Sequence, residues 1–453
     1  MFVKVSNILY LVTGVLFGLV MLSNRLLPET IRYASIFFVV LLYFPLKKHQ
    51  WIKLMISIVL IIAMLPLVYA QSMMDTALNQ EDYEVQNFSV YVLNESEFKT
   101  MPDLSGYAVT YPRQIETEFQ DVISYEWIDL ELDYVLAEHP AQAAEMLLNH
   151  QVQAVLLDNV SIETFEAFEL DFLSNVRVIA VYQKEIVRSE LNKPKDIRRS
   201  PFIVYFSGLD VVGPINTVSR SDVNILAAVH PSLGIIDMYS LARDSYFPIA
   251  CMKDNYDKLT HAGWRGLDCS IKTLENAFDL EVNYYVKVNF SSFMNIIDAF
   301  GTIDVYSPFA FASGGYRFRK GMNAMDAKKA LAFARERKAF ALGDLQRGLN
   351  QQEVIKALLQ RIMAIRDLTT LNRLVDQIGK YVDTNIDSED IGKLLALQIA
   401  NNPSWVMTSH MLEGERGSAP SYAFGGQYQN MVFPDPDSVD EITRQISDLM
   451  KKR

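Results

Sequence analysis

Five arginines and four aspartates between positions 210 and 347 are of the types, and stand at the spacings, needed to handle phosphate. They are Arg220, Arg243, Arg335, Arg337 and Arg347, with Asp210, Asp222, Asp244 and Asp344. A guanidinium is a planar fork of N–H donors that takes two phosphate oxygens at once. Asp210 and Asp222 offer hard anionic oxygens suited to a divalent cation such as Mg2+ or Mn2+. Together these groups suit a phosphorylated, pyrophosphate-bearing substrate, where stabilising charge matters more than a strong base. Each residue also has a plainer reading. Asp210 can make a turn, Asp222 can cap it, and Arg220 can pair locally with Asp222. Arg335 and Arg337 can simply favour the negative end of a helix dipole.

The elements that must position these residues are legible in the apolar pattern. The buried run Phe202–Ser207 reads as a strand ending at Asp210. Val223–Val229 and Ile235–Ser240 read as two more, separated by the turn Pro231-Ser232-Leu233-Gly234. Asp222 then begins one strand and Arg243-Asp244 follows the next. This places all three aspartates at one edge of a sheet, where α/β folds gather ligands. Ser270–Phe278 and Phe290–Phe300 read as helices around the strand Tyr284–Val288. Ala327–Arg335, Gln351–Ala364, Leu371–Tyr381, Glu389–Ala400 and Glu441–Lys452 continue the helical pattern. Arg347 and Gln351, spaced i,i+4, share one face at the start of a helix. A helix start also attracts anions.

Upstream, Phe88–Leu93, Ala154–Leu157 and Val176–Val181 read as strands. Ala141–Asn149 and Ser161–Leu173 read as helices. The pattern is a small α/β domain, and no chemical motif stands out in it. The proline-bearing, charged stretch 192–201 separates it from the downstream part of the chain. The expected division is a membrane region at 1–70, a linker at 71–87, a small accessory α/β domain at 88–191, a linker at 192–201 and a larger α/β domain at 202–453. In that larger domain a mixed central sheet is flanked by helices.

Val5–Leu22 and Leu54–Ala70 are uncharged apolar runs of membrane-spanning length, and Tyr33–Leu46 is a shorter third. No small-x-small cleavage site follows Leu22, so the first run reads as a retained helix rather than a signal peptide. Lys47, Lys48 and Lys53 precede the third run, which puts that loop in the cytoplasm and the bulk of the chain outside. The net charge of −12 over 453 residues leaves no basic footprint and argues against nucleic acid as a partner. Cys251 and Cys269 are either a disulfide, which survives outside the cell, or two buried thiols.

The strings Ser219-Arg220-Ser221-Asp222, Arg243-Asp244-Ser245, Asp257-Lys258-Leu259-Thr260-His261-Ala262, Val288-Asn289-Phe290 and Arg335-Glu336-Arg337 form a specific set, together with Asp344, Arg347, Asn350 and Gln351. The set resembles the LytR-CpsA-Psr family of membrane-anchored cell-wall glycopolymer ligases over about 202–365. The membrane segments and the intervening small domain resemble the capsule-type subgroup, called CpsA or Wzg.

The resemblance implies a phosphotransferase. It would move a capsular or related glycan from undecaprenyl pyrophosphate to peptidoglycan, with weak pyrophosphatase activity as a side reaction. It implies Asp210 and Asp222 as magnesium ligands. It implies Arg220, Arg243, Arg335, Arg337, Arg347 and Gln351 as the pyrophosphate grip. By chemistry alone no base is obvious: Asp244 or Asp344 could serve, and both could equally orient arginines. It implies the cell membrane of a Gram-positive-type bacterium, with the C-terminal domains extracellular and other capsule-synthesis proteins nearby. A membrane-bound regulator of capsule synthesis, or a lipid-linked glycan binding module without turnover, are the other roles it allows. The lipid needs an apolar groove, for which Phe290, Phe293, Met294, Ile296, Ile297 and Phe300 are candidates, as are Leu358, Leu359 and Ile362. By spacing alone those stripes are core. Two positions depart from the family pattern: Ala242 replaces a proline and Leu349 an arginine.

Overall fold

The computed structural model describes all residues except 1, 24–28, 43–48, 78–82, 118, 121–126, 128, 164, 166–170, 189–194, 210, 212, 366–367, 402–403 and 453. Three helices open the chain: α1 (Phe2–Ser23), α2 (Glu29–Leu42) and α3 (Gln50–Ala77). Phe17, Met21, Val39, Leu60 and Met64 bury one another where the three meet. Among the described residues one helix, over Val5–Ser23, is long and apolar enough to cross a membrane, while Ile31–Leu42 and Gln50–Leu65 are shorter apolar stretches.

A five-stranded sheet follows, built from β1 (Tyr83–Leu93), β2 (Ala108–Pro112), β3 (Asp133–Ala137), β4 (Ala154–Asp158) and β5 (Val176–Val187). Its order is β3-β2-β4-β1-β5, with the short helix α4 (Pro140–Leu148) packed on it. The stretch expected to be a linker at 71–87 is largely structured. Helix α3 continues to Ala77, and β1 begins at Tyr83 with alternating burial. The helix expected over Ser161–Leu173 is shorter in the described residues: a helical turn covers Asn159–Glu163, and 164 and 166–170 lie outside them.

The second sheet has six strands in the order β16-β11-β6-β7-β8-β17. They are β6 (Phe202–Leu209), β7 (Ser221–His230), β8 (Ile235–Leu241), β11 (Tyr284–Asn289), β16 (Asp383–Thr384) and β17 (Val406–Met411). The ribbon β9 (Tyr246–Pro248) with β10 (Tyr256–Lys258) leaves the end of β8. Three further hairpin pairings, β12 (Ile303–Ser307) with β15 (Gly321–Met325), β13 (Phe311–Ser313) with β14 (Tyr316–Phe318) and β18 (Gly414–Pro420) with β19 (Tyr428–Pro434), lie outside the sheet.

Helices cover both faces, so the central strands read as continuous apolar runs. On one face α5 (Leu267–Phe278) and the C-terminal helix α11 (Pro436–Lys451) bury Ile271, Leu274, Ile442 and Ile446 against Tyr205, Leu226 and Tyr239. On the other, Ile355 and Leu359 of α8 (Asp344–Met363) and Leu394 of α10 (Ser388–Asn401) meet Val204, Ile225, Ala227 and Met238. Between them in the chain run α6 (Phe290–Phe300), α7 (Ala327–Arg335) and α9 (Leu368–Gly379). Cys251 and Cys269 form a disulfide with Cα atoms 5.6 Å apart, which ties the ribbon to α5.

Candidate functional site

Strand direction assembles the site. β6 and β7 are antiparallel, β7 and β8 are antiparallel, and β11 is parallel to β6. The end of β6, the start of β7, the end of β8 and the end of β11 therefore share one edge. Arg220 and Asp222 flank Ser221 at the start of β7, and Arg243 and Asp244 follow Leu241. Asn289 ends β11 and caps α6 by accepting from the Ser292 N–H. Asp210, expected here, lies outside the described residues.

Asp222 and Arg243 meet directly, with Nη1 donating to Oδ2 at 2.5 Å. Thr260 Oγ1 donates to the other Asp222 oxygen at 3.3 Å. Lys258 Nζ lies 3.2 Å from Asp244 Oδ1, and Arg243 Nε lies 3.9 Å from Asp244 Oδ2. Across from these, the first turn of α8 carries Asp344 and Arg347, paired at 3.4 Å. Arg337 Nη1 stands 4.0 Å from Asp344 Oδ1. This group gathers four cations, Arg243, Lys258, Arg337 and Arg347, against three carboxylates.

The two halves lie close enough to act on each other's charge. Burial depresses the Arg347 guanidinium below its usual range; Asp344 opposes that, and Arg243 and Arg337 add to it by repulsion. Arg243 moves the other way. Burial works against its charge, but Asp222, Asp244 and Asp344 together outweigh it. Arg243 Nε and Asp344 Oδ1 are buried with no hydrogen-bond partner. An anion bridging Arg243, Arg337 and Arg347 would relieve the repulsion and meet the unused donor.

Local packing fixes these side chains. The turn at 242–245 is tied down by Leu259 N–H donating to Ser245 O and Thr260 N–H donating to Arg243 O. Those bonds hold the Arg243 loop without the proline that Ala242 replaces. Gly348 lets α8 lie flush on β8: a Cβ there would collide with Ser240 Oγ. Gln351 and Asn350 donate to the carbonyls of Ala334 and Phe333, closing the C-terminal end of α7. Gln351, expected on the substrate, thus has its amide nitrogen on the backbone. Arg335 ends α7 with its guanidinium 4.3 Å above the Phe290 ring, a cation–π pair at the same edge of the sheet.

Sequence reasoning gave no role to Lys258, Thr260 or Gly348. The first two stood inside the string 257–262, which was the available signal. Asp257 in that string is buried and accepts from His261 Nδ1, Ser421 Oγ and Ala423 N–H, so its role is to pin the loop 421–424. Of the proposed groove, Ile297 is wholly buried in a core with Phe333 and Val354, and Phe293, Met294 and Phe300 pack against it.

The LytR_cpsA_psr family matches residues 175–445, more than half of the chain. The chain belongs to this family. A polyisoprenyl-teichoic acid–peptidoglycan teichoic acid transferase TagU of Oceanobacillus iheyensis is 35% identical over 185 residues, 39% of this chain and 57% of that protein. The TagU of Bacillus subtilis is 33% identical over 195 residues, 43% of this chain and 63% of that protein. The matches thus span under two thirds of these relatives. A solved structure from Streptococcus agalactiae shares the fold over 58% of this chain and 92% of its own, at a TM-score of 0.51 and 22% identity. The LytR_cpsA_psr match takes in both arginine-bearing halves of the site.

Proposed function

We propose that this protein is a cell-wall glycopolymer ligase. In this reading it moves a glycan phosphate from a polyisoprenyl pyrophosphate carrier, undecaprenyl pyrophosphate, to a sugar hydroxyl of peptidoglycan. The observation that carries the reading is the cluster of Arg243, Arg337 and Arg347 around buried carboxylates, with an unused donor on Arg243. The names of the TagU relatives support the reaction class. A capsular polysaccharide as the polymer, and capsule-synthesis proteins as neighbours, belong to the same proposal and rest on the three apolar helices and small sheet ahead of the family region.

The acceptor oxygen attacks the glycan-bearing phosphorus, and the P–O bond to the lipid phosphate breaks. Arg243 and Arg347 neutralise the charge that grows on the leaving phosphate, with Arg220, Arg335 and Arg337 completing the grip. Asp344 and Asp244 are the two candidate bases for the acceptor proton: each is paired with cations, Asp344 with Arg347 and Arg337 and Asp244 with Lys258, and Asp344 Oδ1 keeps an acceptor without a hydrogen bond. Water in place of the acceptor gives slow pyrophosphate cleavage.

A divalent cation belongs to the proposal. Among the described residues no group of three or more metal-binding side chains occurs. Magnesium does not need one, since it binds through one or two carboxylates plus substrate phosphates. Asp222, with Asp210, fits that donor set, and the ion would supply further positive charge to the pyrophosphate. The three N-terminal helices, read as membrane-embedded, would leave the sheets outside the cell.

The test is release of lipid phosphate from a pyrophosphoryl-lipid analogue by the purified protein, with and without magnesium. Alanine at Arg243 and Arg347 should slow release while the fold persists. An unchanged rate in both variants would sink the reading. Protection of the 200–450 region from reagents outside intact protoplasts would overturn the orientation.

A further inference from the structure

A cleft of about 440 Å³ opens where the five-stranded sheet meets the β9–β10 ribbon and the tip of the β18–β19 hairpin. Its size is within the range of small-molecule sites. Tyr256 and Tyr422, residues 53% and 44% exposed, line it, and Tyr246 lies beside Tyr256 with ring centroids 5.2 Å apart. Arg113, Gln114, Glu138 and Asn255 supply its polar wall. Arg113 and Glu138 are held to each other by two parallel hydrogen bonds of 2.7 and 2.9 Å, so this pair adds no net charge. Gln114 Oε1 is buried and accepts no hydrogen bond.

We infer that this cleft binds an uncharged oligosaccharide. Sugar rings have apolar C–H faces that suit exposed tyrosines, and rims of hydroxyls that suit amides and a carboxylate–guanidinium pair. A charge-balanced wall does not select a polyanion. The cleft is also joined to the arginine site. Tyr246 follows Arg243 by three residues, a reach of at most about 10 Å. Its partner in the ribbon register is Lys258, whose ammonium pairs with Asp244. A saccharide chain lying over Tyr256 and Tyr246 therefore runs toward the reacting centre. Taking this saccharide as the acceptor strand, rather than the polymer being transferred, rests on the proposed transfer; the binding itself does not.

The probe is a β-1,4-linked N-acetylglucosamine tetramer, titrated calorimetrically into the full-length protein in lipid nanodiscs. The tetramer should bind, and Tyr256→Ala or Tyr422→Ala should each weaken it about tenfold, the scale of a lost ring contact. Tyr256→Phe, which keeps the ring, should bind as the parent does. Arg243→Ala should lose transfer yet keep the tetramer, which separates this inference from the catalytic reading. In the transfer assay the tetramer should compete with the acceptor and not with the lipid donor. No binding, binding indifferent to both tyrosines, or preference for an alternating uronate tetramer would overturn the cleft. Competition with the donor instead would overturn the acceptor assignment.

Discussion

Two charged regions in this molecule use the same side chains to opposite ends. The first is the arginine site at the edge of the six-stranded sheet. The second lies where β1 meets β11 and β16, and gathers Glu84, Arg188, Lys287 and Asp383. There the side chains are at most 8% exposed, and two cations balance two carboxylates. Arg188 grips Asp383 with both terminal nitrogens at 2.7 and 2.5 Å, and Lys287 pairs with Glu84. Leu267 N–H donates to the other Glu84 oxygen at 2.6 Å, and Tyr285 Oη donates to Asp383 at 3.1 Å. Every carboxylate oxygen is met, with Arg188 Nε the exception among the donors. In the arginine site Arg337 is 48% exposed, Asp344 Oδ1 and Arg243 Nε go unmet, and like charges crowd. Closure sets the Glu84–Lys287 region apart as a structural joint, and the unmet donor and acceptor leave the arginine site open to the charged ligand proposed for it.

Lys287→Met puts this contrast under the greatest strain. It leaves Glu84 buried with only the Leu267 N–H and an Arg188 contact at 4.0 Å, and should cost roughly 3–5 kcal/mol of stability, read by urea denaturation. An unchanged midpoint would erase the distinction. Arg243→Ala should shift the balance the other way, cutting transfer about tenfold to hundredfold, the worth of one charge-assisted contact at about 1.5–3 kcal/mol, with a smaller loss of unfolding midpoint than Lys287→Met. Arg243→Lys should rescue poorly because it lacks the fork. Arg347→Met should lose activity while stability stays level or rises, since burial and neighbouring guanidiniums already disfavour that charge.

Gly348→Ala tests whether placement matters as much as charge. In a helix this change usually adds about 1 kcal/mol of stability. Against Ser240 it should instead cost about 1–3 kcal/mol as an overpacking strain, and Ser240→Gly should restore both stability and transfer. The smallest effect concerns Asp257. Burial pushes its pKa up, but the His261 hydrogen bond and charge and the N–H donors of Ala423 and Lys258 outweigh that and hold it below the usual carboxylate range. A depressed folded pKa stabilises above the unfolded value and is lost as pH falls. Asp257→Asn should therefore flatten the decline in stability below about pH 4, measured as unfolding midpoint against pH.

Much of the second sheet was legible because its strands are buried on both faces and read as unbroken apolar runs. Phe290–Phe300 and Ala327–Arg335 matched their helices end to end, where Asn289 and Asp326 cap them. Strands β2 and β3 of the first sheet escaped, being five residues each with no long alternation. The hairpin β18–β19 escaped because Gly414, Gly417 and Pro420 depress the strand signal. Arg243 and Asp222 were legible as neighbours because they flank paired strands. Lys258 was not, because its place depends on the register of β9 with β10, which the local pattern does not encode. The buried joint was invisible for the same reason: Glu84 and Lys287 stand 203 positions apart.

Helix α3 ends at Ala77 and β1 begins at Tyr83, so the intervening tether can reach at most about 20 Å. The second residue of β1 is Glu84, bolted to Lys287 two positions before the end of β11 and to the first residue of α5. Helix α9 adds a second attachment by packing against α3. Two anchor points and a short leash fix the stand-off between α3 and the arginine edge. Under the proposed transfer, with α3 and the carrier lipid in one bilayer, the phosphates would arrive at a set height, and the geometry of the mooring would select which bond is presented.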